Sequence, residues 1–240
     1  MDKNNIYLIV SAIIAGLSGY FFWISKGGVH FENMSLLIIC IASIIAMVVF
    51  MSKIQGKSFS PLASALGLKV ISSVSLGGGG HVDMEGEIEG RTVFLRYIED
   101  HGVGQTGGLF RAASRGIERS RYELRLQLNN PHRIDLYVGP EGLLKTPANI
   151  LSLPKKLDTY EWEWAEFVTV YGAPAEAIDS IFSNKANTEI FSAFFSKFDL
   201  RVKEDKMEFK VKEEGLNNPA EELKEILDYA ISVANAIDNG

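Results

Sequence analysis

The 240-residue chain has 24 basic and 30 acidic residues and a net charge of −6. This acidic balance excludes a general nucleic-acid binder, which needs a basic footprint. The chain has room for a short membrane segment and one domain of ordinary size. Its single cysteine, Cys40, excludes an intramolecular disulfide, which fits a reducing compartment.

Two apolar runs without a charged side chain lie near the N-terminus, at residues 6–24 and 34–51. Each is close to the ~20 residues that a helix needs to cross a bilayer core. The short connection between them predicts a helical hairpin, with residues 1–52 in the membrane and residues 53–240 as a water-soluble domain. A cleaved signal peptide is the alternative for the first run, although that run exceeds the usual signal core of ~7–15 residues.

The basic residues that flank the two runs indicate an orientation. Lys3 precedes the first run, Lys53 and Lys57 follow the second, and Lys26 is the one basic side chain between them. Because Lys and Arg are enriched on the cytoplasmic side, we predict an integral inner-membrane (plasma-membrane) protein with both termini and the soluble domain in the cytoplasm.

A stripe of small residues marks one side of the first apolar run. Ser11, Ala15 and Gly19 follow one another at four-residue steps. Such stripes let two membrane helices approach closely. One hypothesis is therefore a scaffold that forms a homo-oligomer through its transmembrane helices.

The first part of the soluble region begins with helix signals and continues with strand patterns. Residues 58–68 predict a short helix, with Ser60 as its cap, Pro61 in its first turn and Gly67 at its exit. Strands are then predicted at 70–76, 84–88, 91–98, 121–128, 133–138 and 167–171. The pair Glu89-Gly90 suits a hairpin turn, and the glycine-rich stretch 100–116 predicts a long loop. Strand 91–98 has apolar residues on both faces, which predicts that other elements cover both of its sides. Strand 167–171 is predicted to be the last strand of a meander.

The C-terminal part changes to helical periodicity. It predicts helices at 174–182 and 188–198, a hairpin of strands 200–203 and 207–212, and a long amphipathic helix that opens at Pro219 after an Asn218 cap. Strands followed by helices predict an α+β domain with a largely antiparallel sheet and C-terminal helices.

Gly77–Gly80 is the most conspicuous local feature, and it directly precedes His81 and Asp83. A phosphate-binding loop needs a strand-to-helix turn, whereas a strand pattern follows here, so a hairpin loop is favoured. On a strand, His81 and Asp83 would share one face. They give the alternative hypothesis of a membrane-tethered hydrolase or phosphate-handling enzyme that uses both residues and the glycine loop. Because neither a serine-nucleophile elbow nor a zinc motif is present, we predict no metal, no cofactor and no catalysis.

Arginines dominate the stretch between Arg91 and Arg133, which contains no lysine. The candidate binding residues are Arg111, Arg115, Arg119, Arg121 and Arg125, the first three of which would align on a helix. Arginine binds phosphate and carboxylate groups well, and cations near a membrane attract anionic lipid. These side chains would therefore bind a protein partner or anionic headgroups. The alternative is a solvated face paired internally with acidic residues.

Three short motifs carry a resemblance to a group of proteins. They are PLASALGL at 61–68, Gly90-Arg91-Thr92-Val93, and EWEWAEFVTVYG at 161–172. Over residues 58–238 the chain resembles bacterial membrane-anchored proteins of unknown function, with N-terminal transmembrane helices and a cytoplasmic α+β domain. The resemblance implies neither catalytic residues nor a substrate. We therefore expect a membrane-anchored, non-catalytic binding or regulatory module for a protein or anionic lipid.

Overall fold

The computed structural model describes residues 31–76, 79–100, 120–140, 154–157, 168–195, 197–212 and 216–239, together with Ile14, Gly16, Trp162 and Ala165. The helices in these ranges are α1 (Phe31–Ala65), α2 (Ala175–Phe182), α3 (Thr188–Phe195) and α4 (Pro219–Asn239), with a 3-10 turn at Lys185–Asn187. The strands are β1 (Lys69–Leu76), β2 (Gly79–Ile88), β3 (Arg91–Asp100), β4 (Arg121–Gln127), β5 (Asp135–Pro140), β6 (Val168–Ala173), β7 (Leu200–Lys203) and β8 (Lys206–Lys212). The predicted α+β class is confirmed.

The eight strands form one sheet in the order β1-β2-β3-β4-β8-β7-β5-β6. Every pair of neighbouring strands is antiparallel, as predicted. The predicted meander is wrong in its order, because the late hairpin β7–β8 lies between β4 and β5. Phe209 of β8 pairs with Leu124 of β4 on one side and with Leu200 of β7 on the other. Alternation along a strand fixes its two faces but carries no information about its neighbour.

One face of the sheet is buried, and we call it the core face; we call the opposite face the open face. On β4 the core face carries Tyr122, Leu124 and Leu126, all buried, while Arg121 and Arg125 on the open face are half-buried. An antiparallel sheet packed on one side gives this alternation.

The prediction that strand 91–98 is covered on both sides is wrong for β3, because its two faces differ in burial. Its core-face residues Val93, Leu95 and Tyr97 are buried, whereas Phe94 on the open face is half-buried. The guanidinium carbons of Arg96 and Arg125 lie 5.5 and 5.6 Å from the centre of the Phe94 ring. On the open face, two arginine side chains therefore contact the Phe94 ring through cation–π interactions. The prediction expected apolar residues to cover it instead.

The helices α2, α3 and α4 cover the core face. Phe194 of α3 lies edge-on to Phe209 of β8, with ring centres 5.1 Å apart, and Phe182 of α2 lies edge-on to Phe191 at 4.8 Å. α4 adds seven buried residues, namely Leu223, Leu227, Ala230, Ile231, Val233, Ala234 and Ile237. Edge-to-face aromatic pairs add to the stabilisation from burial.

α1 is one continuous helix of 35 residues, so the prediction of a separate helix at 58–68 is wrong. The helix passes through Pro61, which lies on its exposed side, and ends at Ala65. The predicted exit at Gly67 is confirmed by its positive φ of 73°. Packing of Gly56 and Ala63 against the domain outweighs the local start signal of Ser60 and Pro61.

The second half of α1 packs against the sheet. The Ser73 hydroxyl of β1 donates to the Ser52 carbonyl at 2.5 Å, and the Gln55 amide donates to the Glu99 carboxylate at 2.9 Å. Farther along, the rings of Phe59 and Tyr97 lie 4.6 Å apart. The domain boundary predicted between residues 52 and 53 therefore falls inside α1.

The first half of α1 presents apolar side chains at the surface. Ile38, Ile39, Ile41, Ile44, Ile45 and Val49 are between 45% and 61% exposed. Among the described residues, α1 is the one helix long and apolar enough to cross a membrane; the qualifying stretch is Ile41–Ala65, although residues from 52 onward pack on the sheet. The first apolar run lies outside the described residues apart from Ile14 and Gly16, so a single such helix is shown and not a hairpin.

Candidate functional site

The strand register arranges the side chains of the open face in rows that cross the sheet. The first row holds Val74, His81, Ile98, Arg121 and Lys212. The second row holds Asp83, Arg96, Glu123 and Lys210. The third row holds Glu85, Phe94, Arg125, Glu208, Arg201, Tyr137 and Tyr171. Cross-strand neighbours in such rows are close enough to interact directly.

His81 and Asp83 share the open face of β2, as predicted, and their nearest atoms, Nε2 and Oδ2, are 3.8 Å apart. Asp83 is 7% exposed and accepts two hydrogen bonds from Arg96, at 2.7 Å from Nε and 3.1 Å from a terminal nitrogen. These bonds raise the pKa of Arg96 above its ordinary value. Asp83 is therefore the ion-pair partner of Arg96 rather than a base oriented by His81.

No group of three or more potential metal ligands occurs among the residues that the structure describes. Gly79 and Gly80 lie in β2, paired with Leu76 and Ser75 of β1, while Gly77 and Gly78 lie outside the described residues. The glycines thus connect two strands, as the hairpin prediction requires, and not a strand to a helix. A phosphate cradle at a helix N-terminus has no counterpart in this connection.

Of the five predicted arginines, the structure places Arg121 and Arg125 two residues apart on the open face of β4. Arg121 Nε lies 3.1 Å from Glu123 Oε1, and Arg125 Nε lies 2.8 Å from Glu208 Oε1. Both therefore contact acidic neighbours, as the alternative of internal pairing expected. Arg111, Arg115 and Arg119 lie outside the described residues, and their role stays a prediction.

Two titratable groups that sequence reasoning missed, Asp199 and Tyr137, lie near each other at β5 and β7. Burial raises the pKa of Asp199, and the positive charges of Lys212 and Lys210 partly oppose this shift. Burial and the charge of Asp199 raise the pKa of Tyr137. The sequence contains no motif that identifies this pair. The two residues come near each other only because β7 lies between β8 and β5 in the sheet.

The two ends of the sheet differ in their position relative to α1. Gly67 joins the end of α1 to β1, and Ser73 contacts Ser52, so β1 runs back along the helix towards its apolar half. We call the strand ends on that side the proximal edge; they are Leu76, Gly79, Asp100, Arg121 and Lys212. We call the opposite side the distal edge; it comprises Ile88, Arg91, Gln127, Lys203 and Lys206.

The connection that carries the three undescribed arginines belongs to the proximal edge. The chain leaves β3 at Asp100, which pairs with Gly79, and enters β4 at Arg121, which pairs with Ile98 and Lys212. Both ends of this connection are therefore fixed beside the first row of the open face. The structure thus brings the attachment points of the arginine-rich stretch to the side of the sheet nearest the apolar half of α1.

No family model and no curated protein matches the chain. Among solved structures, the chain is similar to the crystal structure of the mycobacterial trehalose monomycolate transport factor A, TtfA. The sequence identity is 10%, the TM-score is 0.46, and the likeness covers 77% of this chain and 92% of that chain.

Proposed function

We propose that the chain is an integral protein of the inner membrane whose cytoplasmic α+β domain is a non-catalytic binding module. The observation that carries this proposal is the division of α1 into two halves with different surroundings. Residues 52–65 pack on the core face through contacts such as Ser52–Ser73 and Phe59–Tyr97. Before them, the side chains at the surface are Ile38, Ile39, Ile41, Ile44, Ile45 and Val49.

The exposed half of α1 has the properties of a membrane span. Its apolar run, 34–51, contains no charge and is about 27 Å long at the helical rise of about 1.5 Å per residue, close to the ~30 Å of a bilayer core. The exposed residues from Ile38 to Val49 form one broad side of the helix, which is suited to contact with lipid, whereas Ser43 on the other side is buried. An apolar surface of this kind in water is a liability that burial in lipid removes.

The flanking charges support the orientation. Lys53 and Lys57 are exposed at the point where α1 meets the domain, and Lys26 is the one basic residue between the two apolar runs. This distribution favours a cytoplasmic domain. We extend the proposal to a second span at 6–24, which would place both termini in the cytoplasm and would supply the Ser11, Ala15 and Gly19 stripe for a homo-oligomer.

The pairing of charges on the open face supports a binding role over a catalytic one. Asp83 bonds to Arg96, and Glu123 lies within 4.0 Å of both Arg121 and Lys210. A general base needs access to a substrate proton, whereas Asp83 is buried under its guanidinium partner. Lys210 and Lys212 stay exposed on this face, and their charges are suited to binding an anionic partner.

Alkaline carbonate extraction tests the membrane anchor. The full-length protein is expected to stay in the membrane pellet, because a span in hydrocarbon resists washing. A peripheral control protein of the same membrane should be released in the same sample. Release of the full-length chain into the supernatant would contradict the proposal.

Cysteine accessibility tests the topology. In a Cys40→Ala background, Asp205→Cys on the distal edge should react with a membrane-impermeant maleimide only after spheroplasts are lysed. Ser25→Cys, between the two apolar runs, is the matched control and should react in intact spheroplasts. The reverse pattern would place the domain outside, and equal reaction of both sites in intact cells would remove the two-span topology.

A further inference from the structure

We infer that Arg201, together with Tyr137 and Tyr171, forms a site on the open face that binds the phosphate group of a soluble phosphate ester. The inference rests on the proposed binding role and deepens it, because it adds a site and a ligand class. It does not depend on the membrane anchor. Two observations carry it: the surroundings of the Arg201 guanidinium and the pair of tyrosines beside it.

The structure describes five half-buried arginines, and four of them pair with a carboxylate. The pairs are Arg91–Asp238, Arg96–Asp83, Arg121–Glu123 and Arg125–Glu208, with nitrogen–oxygen distances between 2.7 and 3.1 Å. Arg201 is the fifth, and its guanidinium has neither a hydrogen bond nor an ion pair within the described ranges. A half-buried charge has lost part of its hydration, so a guanidinium in this state is suited to an external anion.

The carboxylates near Arg201 interact with other residues. Glu208 lies directly opposite on β8, but its Oε1 is 2.8 Å from Nε of Arg125. Asp199 lies two residues before Arg201, and the positive charges of Lys212 and Lys210 act on its carboxyl group. Because neither carboxylate bonds to Arg201, the five N–H donors of this guanidinium are available to a ligand.

Two tyrosines continue the third row beyond Arg201. Tyr137 of β5 is opposite Arg201, and Tyr171 of β6 is opposite Tyr137. Their ring centres are 6.4 Å apart, and the ring planes are tilted by 57°. The Tyr137 ring leans along its own strand, since a Cβ atom at Gly139 would lie 2.5 Å from the Tyr137 hydroxyl oxygen. The ring is thus directed along β5 rather than across to the guanidinium, and the pair offers aromatic surface to the body of a ligand.

A second cation lies on the other side of the tyrosine pair. Lys156 is exposed and forms a bridge with Tyr171, so the row ends in Arg201 at one side and in Lys156 at the other. At about 4.8 Å between neighbouring strands, the two cations are about 14 Å apart at the backbone, and both have long side chains. A phosphate monoester has about −1.5 to −2 charges and three acceptor oxygens, which suits a row with two cations better than a carboxylate does. Arginine binds phosphate in a bidentate manner.

The first experiment measures ligand binding to full-length protein in phosphatidylcholine nanodiscs by ligand-observed NMR. Phenyl phosphate should bind saturably. Inorganic phosphate should bind about three- to ten-fold more weakly, because it has no ring to contact the tyrosines. Benzyl alcohol, which has the ring without the phosphate, should show no saturable binding. Benzyl alcohol that binds as tightly as phenyl phosphate, or phenyl phosphate that does not bind, would overturn the inference.

The second experiment tests the role of Arg201. Arg201→Gln should weaken phenyl phosphate binding by about ten-fold or more, because it removes the charge-assisted hydrogen bonds. Arg201→Lys keeps the charge but loses the bidentate geometry, so binding should fall by about three-fold while the unfolding temperature is unchanged. Arg133→Gln, at an exposed arginine of the distal side, is the matched control and should leave binding unchanged. Equal binding by wild type and both Arg201 variants, or the same loss in Arg133→Gln, would overturn the site.

The third experiment separates a soluble ligand from a lipid headgroup. Nanodiscs that also contain phosphatidic acid are compared with nanodiscs that contain oleate at the same surface charge. Phenyl phosphate should bind equally well in both. Loss of binding in the phosphatidic acid sample alone would show that a headgroup occupies the site and would overturn the assignment to a soluble ester. Failure of the proposed anchor appears separately, as release of the wild-type protein in alkaline carbonate.

Discussion

One charged pair at the distal edge of the sheet is buried, whereas Lys212 at the proximal edge lies at the surface. A terminal guanidinium nitrogen of Arg91 lies 2.7 Å from Oδ2 of Asp238, and the side chain of Asp238 is 4% exposed. Asp238 also accepts hydrogen bonds from the backbone amides of Asn129 and Asn130. At the proximal edge Lys212 is exposed and Arg121 pairs with the half-buried Glu123. The comparison indicates that the buried Arg91–Asp238 pair helps to maintain the fold.

The backbone shows the same contrast. All six positive-φ residues among the described parts of the chain belong to connections at the distal side, namely Gly67, Glu89, Gly90, Asn130, Arg133 and Glu204. Such residues make tight turns, and Asn130 reinforces one of them through hydrogen bonds with Ile134 and Glu204. The distal edge is therefore closed by short turns, while the connection from Asp100 to Arg121 at the proximal edge is long enough to carry binding groups.

Breaking the distal ion pair should have the largest effect on stability. Asp238→Asn leaves the Arg91 guanidinium buried without its counter-charge, so we expect a loss of about 3 kcal/mol in the free energy of unfolding. Chemical unfolding of the detergent-solubilised protein, followed by near-UV circular dichroism, measures this loss. Asp228→Asn, at an exposed position of the same helix, should change stability by less than about 0.5 kcal/mol. Equal effects of the two substitutions would remove the distinction between a structural and a surface charge.

A methyl group added at Gly86 of β2 should have a smaller effect on stability. A Cβ atom at Gly86 would lie 2.8 Å from the Gly67 carbonyl oxygen and 2.9 Å from a methyl of Leu68. Gly86→Ala should therefore cost about 1–3 kcal/mol through overpacking. The exposed neighbour Glu87→Ala is the matched control in the same unfolding assay. A neutral Gly86→Ala would show that β2 and residues 67–68 are not as close as the structure indicates.

Much of the local structure could be predicted from the sequence. The alternation of Tyr122, Leu124 and Leu126 fixed both faces of β4, and the Asn218-Pro219 signal marked the start of α4. Gly67 likewise marked the exit from a helix. These features depend on neighbouring residues alone, so a single sequence contains the information.

The features that decide function depend on distant residues. Ser60 and Pro61 gave a start signal, but the packing of Gly56 and Ala63 on the sheet extends the helix back to Phe31. The position of β8 beside β4 brings Lys212 next to Arg121, although the two residues are far apart in sequence. No local pattern predicts either result, because both follow from packing that forms only in the complete fold.

The smallest expected effect concerns pH and the carboxyl group of Asp199 beside the proximal lysines. Burial raises its pKa in the folded protein, so the native state binds this proton more tightly than the unfolded chain does. Stability should then fall as pH rises from about 4 through the raised pKa, and the penalty persists above it. Asp199→Asn should flatten this dependence in thermal unfolding measured from pH 4 to pH 8. A constant difference between variant and wild type at every pH would contradict the raised pKa.

The central claim is that one continuous helix serves two environments, with residues 34–51 of α1 in lipid and residues 52–65 in the domain. Comparison of the fragments 52–240 and 66–240 in water tests it most directly. The claim predicts that fragment 52–240 is soluble, remains outside the membrane pellet and unfolds cooperatively, while fragment 66–240 loses the cover over β1 and β3 and fails to fold. Cooperative unfolding of 66–240 with the same stability, or retention of 52–240 in the alkaline-washed membrane, would contradict it.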